Sequence, residues 1–191
     1  RGDSILLYTT SNYRELIKKI ILPFFYRRFN AFLVVGTLNK QFYNRYGVES
    51  KKLFLVPYAV NNNFFQKKVE NLKDKRMQLR EELGIAENSI VILSVVKFIE
   101  RERPIDLLKV QKELSQFYDN VDLVIVGDGE QRSYLEEIIK NENIEKVHLV
   151  GYIKYTKLPE FYMLSDIFVH PAIDECWGLS VNEAAASGLP I

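Results

Sequence analysis

Short, almost continuously apolar bursts alternate along the chain with longer stretches in which apolar residues recur every three or four positions. The bursts AFLVVG (31–36), KLFLVPY (52–58), SIVILSVV (89–96), VDLVIVG (121–127), KVHLVG (146–151) and DIFVHP (166–171) have the length of strands. Most lack a polar alternation, which predicts strands covered on both faces, as in a parallel sheet. Helical patterning fills 13–29, 37–46, 68–83, 104–118, 131–141, 158–165 and 181–187. This rhythm predicts an α/β fold with a doubly wound, mostly parallel sheet. The polar run NNN at 61–63 interrupts it, and the charged stretch 67–83 follows. We therefore expect two units, 1–60 and 61–191. The first holds too few elements to cover both faces of a sheet, so it is expected to be part of a larger domain.

Composition changes this picture little. The chain has 26 Lys and Arg against 25 Asp and Glu, a balance that does not call for nucleic acid as a partner. The single cysteine, Cys176, excludes a disulfide framework within the chain and a multi-cysteine zinc site. It fits a reducing compartment. The densest apolar run, IILPFFY at 20–26, falls well short of the roughly 20 residues of a membrane span. No signal peptide pattern is present. Arg1 stands where Met would begin a complete chain, which leaves room for a targeting segment ahead of it.

In a doubly wound sheet, ligands sit beyond the carboxyl ends of the strands. Three strand ends carry candidate chemistry. KFIERERP places Lys97, Arg101 and Arg103 before Pro104, which suits the first position of a helix. These cations can hold a phosphate, or they form a solvated cluster neutralised by Glu100 and Glu102. GDGEQR (127–132) permits a tight strand-to-helix turn, but Arg132 stands where a dinucleotide fingerprint needs its third glycine. Its Asp128 is expected to cap the helix rather than bind metal. The third is HPAIDECWGLSVNEAAASGLP (170–190). There, Ser180 and Glu183 have the S-x-x-E spacing of a capping box. In the alternative, the N–H groups of Gly178, Leu179 and Ser180 face a phosphate with the helix dipole behind them. Glu183 and Glu175 then accept hydrogen bonds from hydroxyls on either side. A nucleotide sugar has this layout, with a diphosphate between two hydroxyl-rich groups. His148 and His170 lack partners at metal or triad spacing and read as structural. The basic stretch 13–29 is either an amphipathic helix packed on its own sheet and broken at Pro23, or a contact for an anionic membrane surface.

These residues resemble a known family. HPAIDECWGLSVNEAAASGLP is similar to the E-x7-E region of glycosyltransferase family 4, retaining enzymes of the GT-B fold, which is built from Rossmann-like domains. VDLVIVGDGEQRSYL, VHLVGYIKYTKLPEFYMLSDIFVHP, KFIERERPIDLL and AFLVVGTLNKQFYNRYGVESKKLFLVPYAVNNNFF resemble further family segments in the family's order. The resemblance implies that 1–60 ends the N-terminal, acceptor-side domain and that 61–191 belongs to the C-terminal, nucleotide-sugar-binding domain. On this basis the chain is expected to be an internal fragment, inactive alone.

Position by position, the resemblance makes Glu175 a donor-sugar contact and Glu183 a ribose ligand. Lys97 matches the first residue of the basic pair at the diphosphate. The second, usually lysine, falls at Glu102 or Arg103, and Arg103 is the expected one. Ile153 matches the position against the base. Departures are Val96 for a usual glycine, Cys176 for a common proline and Asn61 for a frequent Asp. The implied activity is retaining glycosyl transfer to an acceptor hydroxyl in polysaccharide, lipopolysaccharide or glycolipid synthesis. The nucleotide sugar is a substrate, with no resident cofactor or metal. The implied acceptor is a glycan or lipid-linked. The implied location is cytoplasmic, with peripheral contact at the inner face of the membrane. The altered basic pair motivates one alternative, a non-catalytic nucleotide-sugar-binding module. An epimerase of the same fold is a third reading, disfavoured by E-x7-E.

Overall fold

The computed structural model describes residues 12–191 apart from 174 and 176. The chain divides into two compact units, Arg1–Ala59 and Val60–Ile191. In the first, helix α1 (Asn12–Tyr26) precedes β1 (Phe32–Val34), α2 (Thr37–Arg45) and β2 (Leu53–Leu55). Strands β1 and β2 pair in parallel, Leu33 opposite Phe54. Tyr26 of α1 packs on Phe32 and Tyr43, while Arg45 at the end of α2 and Tyr46 just after it both bind Glu15. Helix α1 runs unbroken through Pro23, and Arg27 N–H still reaches the Pro23 carbonyl at 3.1 Å. The expected break at Pro23 does not occur. Leu16, Ile20, Ile21, Phe24 and Phe25 of α1 are exposed. Among the described residues, no helix is long and apolar enough to cross a membrane.

The second unit begins with α3 (Asn62–Leu72) and α4 (Arg76–Glu82), joined by a 3-10 turn. The asparagine run expected to mark the boundary is a helix start. The Asn61 side chain accepts the Phe64 N–H at 3.0 Å, as an N-cap should. The helix expected over 68–83 is split by that turn. Strands β3 (Ile90–Val95), β4 (Val121–Val126), β5 (Val147–Gly151) and β6 (Ile167–Phe168) alternate with α5 (Pro104–Leu114), α6 (Arg132–Asn141), α7 (Leu158–Leu164) and α8 (Leu179–Ala186). The sheet order is β5-β4-β3-β6, all parallel. Residues alternate between its faces. Val91, Leu93, Val124 and Val126 pack with Phe65, Tyr162, Leu164 and Ala184. Leu123, Ile125 and Leu149 pack against Leu107, Leu108 and Leu135 on the other side. Helices cover both faces, so the sheet is doubly wound as the apolar runs predict.

At the amino ends of the strands, Arg80 of α4 is 3% exposed and holds several elements together. It donates to the carbonyls of Leu164 (2.8 Å), Ser89 (2.9 Å) and Glu87 (3.2 Å), and to Asp166 (2.7 Å). Asp166 also accepts the Val91 N–H at 2.8 Å and pairs with Arg76. His148 meets Asp122 at 2.7 Å, which gives this histidine a partner inside the sheet.

Candidate functional site

Parallel strands end together, so the loops after β3, β4, β5 and β6 gather at one rim. Backbone bonds tie them. Gly127 N–H donates to Gly151 at 2.9 Å, Phe98 N–H to Asp128 at 3.0 Å, and Gln131 N–H to Phe98 at 3.0 Å. Two glycines make this possible. A Cβ on Gly127 would lie 1.7 Å from the Val96 carbonyl oxygen, and one on Gly129 would lie 2.6 Å from that of Phe98. Gly127 also has φ +146, which favours glycine. The GDG step is thus a loop-packing device. Asp128 does not cap α6: its Oδ1 accepts the N–H of Gly129, and α6 has no side-chain cap.

Lys97 is exposed on this rim. Glu102 is turned inward, 7% exposed, and one carboxylate oxygen accepts the Lys97 N–H at 2.6 Å. The other lies 3.3 Å from Arg101. Arg103 adopts a left-handed backbone (φ 52) just before α5, and its guanidinium binds Asp106. Arg101 is the cation that reaches the E-x7-E loop. Its guanidinium lies 3.6 Å from Glu175, and its carbonyl accepts the Ile173 N–H at 3.0 Å. Spacing from the strand could not single it out from Arg103, because the difference lies in where each guanidinium turns.

The loop after β6 brings Glu175, His170 and Gly178 together. Glu175 lies 3.8 Å from His170 Nε2 and accepts the Trp177 N–H at 3.4 Å. Both His170 ring nitrogens are buried with no hydrogen-bond partner among the described residues. A pattern confined to metal and triad spacings gave no sign of this histidine. Cys176 lies outside the described residues. Gly178 is the N-cap of α8, with φ 70 and ψ 65. The capping box expected of Ser180 and Glu183 is not formed. Helix α8 starts at Leu179, which puts Ser180 inside its first turn, and no side chain caps it. The N–H groups of Leu179 and Ser180 have no acceptor among the described residues. They are the unpaired donors of a helix start, favourable to an anion.

Glu183 points into the unit and is 8% exposed. Its Oε2 accepts the Tyr162 hydroxyl at 2.9 Å. Burial raises the Glu183 carboxyl above its ordinary value, and the Tyr162 hydrogen bond opposes this only in part. Burial, together with the neighbouring Glu183, raises the Tyr162 phenol, which stays a neutral donor. Ile153 is half-buried against the same apolar cluster as Tyr162. Among the described residues, no group of three or more His, Cys, Asp or Glu could hold a metal ion.

The structure thus brings Lys97, Arg101, Glu175, Gly178, Leu179, Ser180 and Glu183 to the loops and helix start of one rim. Arg103 stands on the same loop with its guanidinium engaged by Asp106. Known proteins share this framework. A glycosyltransferase from Rickettsia africae superimposes with a TM-score of 0.75 at 19% identity, over 96% of this chain and 48% of that one. The Anabaena HepE protein in complex with UDP and glucose gives a TM-score of 0.69 at 17% identity, over 100% of this chain and 50% of that one. These likenesses show the GT-B fold. The alpha-monoglucosyldiacylglycerol synthase of Acholeplasma laidlawii is 26% identical over 72% of this chain and 34% of its own length. The chain thus spans about a third of that relative and about half of the two solved structures. The family model for glycosyl transferases group 1 matches residues 75–191, more than half of the chain, and the chain belongs to that family.

Proposed function

We propose that residues 61–191 form the donor-binding side of a retaining glycosyltransferase that uses a nucleoside-diphosphate sugar, with residues 1–60 on the acceptor side. The observation that carries this reading is the α8 start. Two unpaired N–H groups stand between Glu175 on the preceding loop and Glu183 one turn in. An anion fits the N–H groups, and hydroxyls fit the carboxylates. Lys97 and a neighbouring arginine stabilise the diphosphate as it leaves, which is where charge develops. Arg101 reaches the Glu175 loop directly; Arg103, expected from the resemblance, first has to leave Asp106. Glu183 takes the ribose hydroxyls, Glu175 the transferred sugar, and Ile153 the base. Retention of the anomeric configuration and the absence of a resident cofactor follow the family resemblance. HepE in complex with UDP and glucose supports a nucleotide-sugar donor.

The relative that synthesises a glucosyldiacylglycerol supports a lipid-linked acceptor in envelope glycolipid or polysaccharide synthesis. On that reading the protein works in the cytoplasm, peripherally at the inner face of the membrane. Helix α1, with exposed Phe24 and Phe25 beside Lys18, Lys19, Arg27 and Arg28, supplies the contact.

The test is nucleoside diphosphate release by the full-length protein from UDP-, GDP- and ADP-sugars, with membrane extract as acceptor. Release with one donor class and transfer with retained configuration is the expected result. No release from any donor would remove the enzyme reading. The buried Glu102 carboxylate at a basic family position favours one alternative, a module that binds nucleotide sugar without turnover. It predicts donor binding with no release.

A further inference from the structure

We propose that Tyr162 is a positioning residue for the donor: its hydroxyl holds one oxygen of Glu183, so that the other is aimed at a hydroxyl of the bound nucleotide's ribose. This rests on the donor-binding reading above and deepens it. Tyr162 lies on α7 and Glu183 on α8, so the contact joins two helices. The tyrosine is 1% exposed. Its ring is held between Phe65, edge-on at 5.7 Å, and Phe168, tilted at 5.9 Å. It therefore cannot swing away when a ligand arrives. Its single proton has two acceptors in range, Glu183 Oε2 at 2.9 Å and the Ser180 carbonyl at 3.3 Å. The nearer, charged acceptor takes it.

The arrangement is poor for mere stability. No cation pairs with Glu183 among the described residues, and a buried carboxylate served by one neutral donor is costly. Oε1 has no partner among the described residues, yet it is not sealed from solvent. One oxygen is fixed by the Tyr162 hydroxyl, and the other is left to accept a further hydrogen bond. The titratable group in contact with Glu183 is Tyr162, with Tyr155 behind it; α3 packs Phe65 on Tyr162 and both Phe64 and Phe65 on Tyr155. Because the Tyr162 bond opposes the upward shift of Glu183, losing it carries the carboxyl further up. The ionised form then fails at a higher pH.

The test uses the full-length protein and isothermal titration with UDP, GDP and ADP, then with the 2′,3′-dideoxy form of whichever binds. For Tyr162→Phe we expect about tenfold weaker binding of the ribonucleotide. The preference for ribo over dideoxy shrinks, and the acid limb of the affinity profile moves to higher pH. Glu183→Gln, as a control, keeps the Tyr162 contact and loses the acid limb. The ribo-to-dideoxy ratio is taken within one variant, so partial unfolding cancels from it. An unchanged ratio and pH profile in Tyr162→Phe would overturn the positioning role while leaving the donor site in place, even if affinity fell. Failure of the wild-type protein to bind any of the three nucleotides would overturn the donor reading itself, and this proposal with it.

Discussion

At the scale of single residues, Glu183 ties the proposed chemistry to stability. Its folded-state carboxyl is raised above 4.5, first by burial. The folded chain therefore holds this proton more tightly than the unfolded chain does. Its stabilising effect is complete below about pH 4.5 and is lost as pH rises through the folded value. Glu183→Gln should thus melt about 2–6 °C higher than wild type at pH 8. The gap should close on acidification, as calorimetry at a series of pH values will show, while nucleoside diphosphate affinity falls. For the cations, Arg101→Gln should weaken nucleoside diphosphate binding about tenfold. Arg103→Gln should change it less than about twofold, since that side chain is engaged by Asp106. Equal losses in titration would show that Arg103 leaves Asp106 when the donor binds. The glutamate spacing and the glycines of this region were legible in the sequence. The choice between two arginines was not, because it turns on a left-handed backbone at Arg103 and an aspartate three residues on. Nor was the false cap. S-x-x-E gives spacing but not the helix start, and Gly178 takes the N-cap two residues ahead of Ser180.

At the scale of elements, all six apolar bursts became strands, and each became a shorter one. β6 keeps only Ile167 and Phe168 because its pairing with β3 spans two register positions. Apolar runs report burial, whereas strand length depends on the neighbour, which a local pattern does not contain. The charged stretch 67–83 hid a further feature. Arg80 looks like one more solvated charge in the sequence, yet it is buried and binds three carbonyls and Asp166. Arg80→Met should cost about 3–5 kcal/mol in denaturant unfolding, since it strands those acceptors. Asp166→Asn should cost less, because its carboxylate is about a third exposed. Burial alone would raise the Asp166 carboxyl, but the Val91 N–H, Arg80 and Arg76 outweigh it and hold it below 3.8. Its contribution is present above about pH 3.8 and is lost as pH falls through the depressed value. The loop glycines are tested in the same assay. Gly129→Ala places a methyl 2.6 Å from a backbone oxygen and should cost about 2–4 kcal/mol. Gly84→Ala meets no atom within 4 Å and strains only its backbone, so it should cost about 1 kcal/mol.

At the scale of the whole chain, the two units differ in how much core they own. Val60–Ile191 holds two buried clusters, one on each face of its sheet. Among the described residues of Arg1–Ala59 the buried cluster is Val34, Val48 and Leu53, with Phe42 and Tyr46 also buried, while Leu33, Phe54 and Leu55 are exposed on the strands. Limited proteolysis of the 191-residue chain should therefore spare the second unit and cut within the first. Cleavage of both at equal rates would contradict this. Doubly wound covering was legible from the apolar runs, because a strand buried on both faces needs no polar alternation. What the runs could not give is strand order, which places β6, the last strand, beside β3 and not beside β5. That order has a consequence for the route by which the chain folds. Ile92 meets Ile167 across a far longer loop than the one joining Ile90 to Val121. Closing longer loops costs more entropy and slows their formation. β3 and β4 should therefore pair early and β6 join late, carrying Glu175, Gly178 and Glu183 with it. The β6 side of the rim should thus assemble after the β3–β4 pair, and refolding followed by pulsed hydrogen exchange should find α8 protected after β4.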